Sequence, residues 1–329
     1  MKIVFRFAAV LLLAVLLCAG AVAVMPETVV AGGGVVALEL KMPGVCVVEL
    51  ASDAPRRAGL RCGDIICSVN GREISGSAAL QRFVSQSDGA KLELCIRRSG
   101  EEKRIFLAPY ATAEGWRLGV SVRERLAGIG TLTFYDPATQ RFGALGHGVN
   151  DGKSGVLLPM QSGAIRTARV TGVTRGEAGT PGALHGATLG EEPLGVLTQN
   201  SKRGIFGECT GFAGRCLPTA RAAQVHTGEA QILSTVRGTE QREYGIVIES
   251  LDPGDALGRQ MHIRVTDTAL LAQTGGIVQG MSGSPIVQDG RLVGAVTHVL
   301  IDDPTRGYGI FFETMWNTLA RQSELQNAA

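Results

Sequence analysis

Chemistry in this chain could begin at Ser282, which stands in Gly280-Met281-Ser282-Gly283-Ser284-Pro285-Ile286-Val287. A backbone that turns tightly at Gly280 and Gly283 can present the Ser282 hydroxyl to a cleft. The same turn lets the N–H groups of Gly280 and Ser282 converge on one oxygen. Such donors stabilise the charge that develops on a carbonyl under attack, and losing one costs ~3–4 kcal/mol. Ser284 precedes Pro285, a position biased toward extended backbone, so Ser282 is the expected nucleophile. A glycine-rich turn without chemistry is the plain alternative. A serine hydroxyl also needs a base, and histidine fits by its pKa. Five histidines are available: His147, His185, His226, His262 and His298. His147 lies between Gly146 and Gly148 after Phe142-Gly143-Ala144-Leu145, where glycines on both sides expose its ring at a strand end; chance placement in a turn is the other possibility. His298 sits inside an apolar run and reads as a core or flanking histidine. His185, His226 and His262 have no distinguishing surroundings.

The elements that must position these groups are short strands. The 329 residues suffice for two domains of ~100–200 residues each. The chain is 45% hydrophobic, with 45 glycines and only 5% aromatic residues, a composition of many strands joined by tight turns rather than of a helical bundle. With 32 basic against 30 acidic side chains, it lacks the basic excess of a nucleic-acid binder. The seven cysteines form no CxxC pair and no zinc-ligand spacing with histidine, so core packing is favoured over a disulfide framework; no metal or cofactor is expected. Lys2 and Arg6 precede an uncharged run over residues 7–25, the pattern of an export signal or membrane anchor, just long enough to span a bilayer. Ala21-Val22-Ala23 could serve for its removal.

Residues 32–109 read as one compact unit. Strands are predicted over 35–40 and 46–50, separated by Met42-Pro43-Gly44, then a short helix from Ser52-Asp53-Ala54-Pro55. Asn70-Gly71 marks a hairpin turn, a helix is predicted over 77–87, and a last hairpin turns at Ser99-Gly100. The stretch Ala54-Pro55-Arg56-Arg57-Ala58-Gly59-Leu60-Arg61-Cys62-Gly63-Asp64-Ile65-Ile66-Cys67-Ser68-Val69-Asn70-Gly71 resembles the signature of bacterial PDZ domains, which bind extended peptides along a sheet edge. A loop around residues 41–45 is the expected carboxylate-binding or strand-accepting edge. A small α/β domain that only packs against its neighbour is the alternative.

From residue 115 to 329 short apolar runs, among them 129–135, 141–145, 230–236, 261–265 and 292–299, argue a β-barrel or double barrel, with a helix only over 313–326. The Gly280–Pro285 loop resembles the nucleophile loop of trypsin-like peptidases. Taken with Gly146-His147-Gly148, Ala295-Val296-Thr297-His298-Val299 and Asp302-Asp303-Pro304-Thr305-Arg306-Gly307-Tyr308-Gly309, it makes the chain resemble the sporulation stage IV protein B peptidases. That resemblance implies a mainly β chain: a hydrophobic N-terminal segment (1–25), a PDZ domain (32–109) and a trypsin-like β-barrel peptidase domain (115–329). It implies Ser282 as nucleophile, His147 as general base and Asp267, at the end of an alternating strand, as the carboxylate that orients His147.

The family further implies export across the forespore inner membrane into the intermembrane space. There such enzymes cleave a membrane-bound regulator, which activates pro-sigma-K processing, and they cleave themselves near the N-terminus. Here only residues 26–31 separate the apolar run from the PDZ unit, a short linker for self-release. The expected partners are thus a protein substrate, a peptide at the PDZ unit and the membrane. A non-catalytic PDZ adaptor and an esterase are the rival functions.

Overall fold

The computed structural model describes residues 24–152 and 155–327, with side chains as far as Arg321. The predicted export segment lies outside the described residues except for Val24 and Met25. Among the described residues no helix is long and apolar enough to cross a membrane. The six described cysteines are all free, with Cys46 and Cys209 buried.

Two antiparallel barrels dominate the fold. The first is a ring of six strands: Val35–Leu50, Val120–Asp136, Arg141–Ala144, Gly204–Cys209, Gly195–Ser201 and Ser162–Thr174. It closes because Ser162–Thr174 pairs with Val35–Leu50, which in turn pairs with Val120–Asp136. The second closes from Gly228–Arg237, Glu240–Leu251, Met261–Val265, Asp303–Phe311, Arg291–Leu300 and Pro285–Gln288. Ile232, Ile246, Ile248, Ile263, Val265 and Ile286 alternate inward to fill it. The C-terminal helix Phe312–Asn327 lies against both barrels, with Phe312 and Trp316 on Phe134 of the first. Full closure leaves few open edges, which suits a chain rich in strands.

The PDZ unit is an outgrowth of the first barrel. Strand Val35–Leu50 runs unbroken where two strands were predicted. Its first half pairs in the barrel (Val35 with Thr131, Lys41 with Arg125) and its second half pairs in the PDZ sheet (Val45 with Ile66). Strand Val120–Asp136 returns beside it along the whole length. Pro43 and Gly44, which look like a break in sequence, sit at the register shift between Lys41 and Cys46, where a bulge tolerates them. Gly44 has φ +117°, and a Cβ there would stand on the Ile66 carbonyl. The expected strand-accepting loop at residues 41–45 is therefore interior strand, with Met42 and Val45 buried. Around this stem pack helix Asp53–Arg57, helix Ser77–Gln86 and strands Ile65–Val69, Leu92–Arg98 and Glu101–Leu107, enclosing Leu60, Ile66, Leu80, Leu94 and Ile96.

A groove of about 560 Å³ runs between helix Ser77–Gln86 and the segment Arg117–Val122, lined by Leu80, Val84, Leu118, Val120 and Val122. Val120 and Val122 pair on one edge only, with Leu50 and Val47. Their other edge faces the helix. The Glu124 carboxylate accepts from Ser77 N at 2.7 Å and so caps a helix whose own N-cap is Gly76.

This interweaving makes a clear demand on truncations. Replacing residues 42–124 with Asn-Gly joins the paired ends Lys41 and Arg125 by a two-residue hairpin turn and keeps the barrel strands. Deleting 32–109 removes a barrel strand. The first variant is expected to melt cooperatively by circular dichroism, and the second to lose cooperative unfolding. Equal folding of both would contradict the shared-strand architecture.

Candidate active site

The Ser282 loop is shaped by hydrogen bonds on both sides of the hydroxyl. Met281 N donates to Val278 O at 3.1 Å, Gly283 N to Val296 O at 2.8 Å and Ser284 N to Met281 O at 2.9 Å. Between them, the N–H groups of Gly280 and Ser282 donate to no group of the chain among the described residues. These are the two donors expected to form an oxyanion hole. The loop is docked across the barrels by strand Val120–Asp136: Thr131 N donates to Ser282 O (3.0 Å), Thr131 Oγ1 to Gly280 O (2.8 Å) and Thr133 Oγ1 to Gly283 O (2.8 Å). Gly283 is required by this docking, since at φ +95° a Cβ would lie on the Thr131 carbonyl and 2.6 Å from Leu145 N.

His147 reaches the same place from the first barrel. After strand Arg141–Ala144, Leu145 and Gly146 both take left-handed conformations (φ +66° and +67°), and Leu145 N donates to Thr131 O at 3.2 Å. The flanking glycines are needed for contact: a Cβ on Gly146 would meet Thr297 Cγ2 at 2.8 Å, and one on Gly148 would meet Ser201 O at 2.5 Å. His147 Nδ1 lies 2.8 Å from Gly148 O. A carbonyl only accepts, so the proton resides on Nδ1 and Nε2 keeps its lone pair. Burial pushes the imidazole below its ordinary pKa, against the opposing pull of the Gly148 carbonyl. A neutral imidazole is the form a base must have.

Ser282, Gly280, His147 and His298 line one cleft of about 380 Å³, whose walls include Leu38, Leu40, Leu126 and Leu145. Ser282 Oγ donates to Thr297 O at 2.7 Å. His298, expected as a core or flanking histidine, lines the cleft. Its ring centroid is 4.8 Å from that of His147, and its Nδ1 is buried without a partner. Burial, then the nearby His147 and Arg259, lower its pKa to about 4. A bulge between Val296 and Val299 turns the ring out of the apolar face, and nothing in the local sequence announces it.

Asp267 is not brought to His147. Its side chain is the N-cap of helix Thr268–Thr274, with Oδ1 accepting from Leu270 N at 2.8 Å. It is absent from the cleft lining, and Gly148 O occupies the His147 nitrogen that a triad carboxylate would hold. The expected contact is thus replaced by a local one, whose signal, Asp267 followed by Thr268-Ala269-Leu270-Leu271, is an ordinary helix start. Ser284 is fully buried and donates to Ser234 Oγ at 3.0 Å, out of reach of a substrate. Asp303 holds Thr305 Oγ1 within its turn, His185 meets Thr174, His226 meets Asp289, and His262 packs on Tyr308.

The chain is similar to known serine peptidases. Residues 114–316 match the model of the SpoIVB peptidase S55 family, and residues 32–107 match a PDZ domain model. A probable periplasmic serine endoprotease DegP-like of Halomonas elongata is 34% identical over 67 residues, which is 20% of this chain and 14% of that protein. Serine protease HTRA1 of Xenopus tropicalis is 36% identical over 67 residues, 20% of this chain and 14% of its own length. The chain thus spans about a seventh of either relative. Among solved structures, the Rv3671c protease from M. tuberculosis in its active form aligns with a TM-score of 0.38 at 16% identity, over 59% of this chain and 74% of that one. The HtrA-type protease AlgW with decapeptide aligns with a TM-score of 0.37 at 11% identity, over 90% and 65%.

Two expectations follow. Asparagine caps a helix about as well as aspartate, whereas alanine costs ~1 kcal/mol. Asp267→Asn should therefore keep both melting temperature and turnover, and Asp267→Ala should lower the melting temperature; a hundredfold loss of turnover in Asp267→Asn would restore the carboxylate to the reaction. His298 titrates near 4 when folded and near its ordinary 6.5 when unfolded. The unfolded chain binds the extra proton between those values, so this stability is present above about 6.5 and is lost as pH falls toward 4. The melting temperature should decline across that window and decline less in His298→Gln. A flat wild-type profile would contradict the buried neutral pair.

Proposed function

Because this chain belongs to the SpoIVB peptidase S55 family, we propose that it is a serine endopeptidase in which Ser282 is the nucleophile and His147 the general base. The observation that carries this reading is the pair of unengaged donors, Gly280 N–H and Ser282 N–H, beside a serine hydroxyl in a cleft that also holds a neutral imidazole. A non-catalytic adaptor would not need two donors left free beside a serine hydroxyl in a cleft.

In the proposed reaction Ser282 Oγ leaves the Thr297 carbonyl, gives its proton to His147 Nε2 and bonds to the scissile carbonyl carbon. The carbonyl oxygen, now negative, is held by Gly280 and Ser282 N–H. His147 then returns the proton to the leaving nitrogen as the C–N bond breaks, leaving an acyl-Ser282 ester. Water, deprotonated by His147, attacks that ester and frees the serine. Gly148 O keeps the Nδ1 proton throughout and so fixes the tautomer, the part assigned in sequence to Asp267. The apolar cleft wall favours an uncharged side chain next to the bond that is cut.

The substrate in this reading is a protein. The groove along helix Ser77–Gln86, with its open strand edge at residues 120–122, suits an extended segment added as a further strand. By resemblance to its family, the substrate is a membrane-bound regulator outside the cytoplasm, whose cleavage activates pro-sigma-K processing. The apolar N-terminal run would deliver the enzyme to that compartment, and self-cleavage near it would release the enzyme.

A fluorophosphonate probe tests the assignment of the nucleophile. Wild type and Ser284→Ala should label, and Ser282→Ala should not. Comparable loss of labelling in both serine variants would overturn it.

A further inference from the structure

A second cavity, of about 320 Å³, shares the two histidine rings with the cleft and is also lined by Lys202, Arg259, Leu257 and Asn150. Lys202 comes from the turn after strand Gly195–Ser201 of the first barrel, and Arg259 from the turn before strand Met261–Val265 of the second. This cavity, like the cleft, therefore forms only where the barrels meet. Both basic residues are exposed and neither forms an ion pair among the described residues, although Asp255, held below its ordinary pKa first by the Arg259 backbone N–H, also feels the Arg259 charge. The Arg259 guanidinium rests over the Tyr308 ring, 5.2 Å from its centroid, which steers it without neutralising it. Asp255 belongs to the same turn, but its carboxylate accepts from Leu257 N and Arg259 N and does not line the cavity. The lining thus carries two cations, two imidazoles and no acid.

We propose that this cavity is a subsite for an acidic side chain of the substrate, placed within about two residues of the scissile bond. The proposal rests on the serine-peptidase reading above and adds its specificity. A carboxylate seated between Lys202 and Arg259 gains charge-assisted hydrogen bonds that a neutral amide does not. It also lies beside His147, which has no carboxylate of its own, so it stabilises the imidazolium formed during attack. Selection of the acidic residue thereby enters kcat as well as KM.

The test uses the full-length chain in detergent, with peptides blocked at both ends. A peptide pool is digested and the cut positions are read by mass spectrometry. A matched pair differing only in Glu or Gln at the selected position then gives kcat/KM. Wild type should favour Glu over Gln by about tenfold or more, the scale of a charged hydrogen bond. Lys202→Glu with Arg259→Glu should abolish or invert that preference while still labelling with a fluorophosphonate. Equal cleavage of the pair by wild type, or a preference that survives the double charge reversal, overturns the subsite. Failure of the underlying reading looks different: Ser282→Ala would then cut the peptides as wild type does.

Discussion

The structure turns on Thr131. Its N–H and its hydroxyl hold Ser282 O and Gly280 O of the second barrel, and its carbonyl accepts from Leu145 N on the segment that leads to His147. One buried residue thus sets the position of the Ser282 loop and the His147 loop against each other. Both loops are irregular and depend on left-handed residues, at Leu145, Gly146, Gly280 and Gly283. Such backbone persists when its surroundings over-determine it. Thr133, reaching Gly283 O from the same strand, repeats the tie one step along. The geometry of the proposed site is then a property of barrel docking, because no short stretch of chain contains it.

The strand that carries Thr131 also runs out into the PDZ unit, alongside Val35–Leu50. The groove beside helix Ser77–Gln86, the apolar cleft wall at Leu126 and the docking residue Thr131 lie along one continuous element. No flexible linker intervenes between them. The chemistry at the other end is arranged without a carboxylate: a backbone carbonyl fixes the His147 tautomer, and burial keeps both His147 and His298 neutral. Net stabilisation of the imidazolium is therefore weak in the resting site, which gives a charged substrate group something to contribute.

Much of this was legible in sequence where the signal is local. Gly280 and Gly283 around Ser282, and Gly146 and Gly148 around His147, mark backbone that must turn or approach closely, and the structure shows what each approaches. Strand Met261–Val265 and helix Ser77–Gln86 follow their alternation and periodicity. Three features escaped for physical reasons. The pairing of Val35 with Thr131 is long-range, so the first barrel looked like a PDZ strand followed by a separate domain. His298 lies in an apolar run, and only a bulge re-aims it into the cleft. Asp267 carried a local helix-cap signal that family likeness outweighed, and the fold obeyed the local signal.

The central claim is that Ser282, the two orphan N–H groups and His147 act on one carbonyl at the junction of the barrels. A crystal structure of the chain after reaction with a peptidyl phosphonate tests it most directly, because the adduct mimics the tetrahedral intermediate. The account expects phosphorus bonded to Ser282 Oγ, which has left Thr297 O, and a phosphonyl oxygen within hydrogen-bond distance (about 2.7–3.1 Å) of both Gly280 N and Ser282 N. His147 Nε2 should face the bonded oxygen. An adduct on another residue, or a phosphonyl oxygen turned away from those two donors, would contradict it.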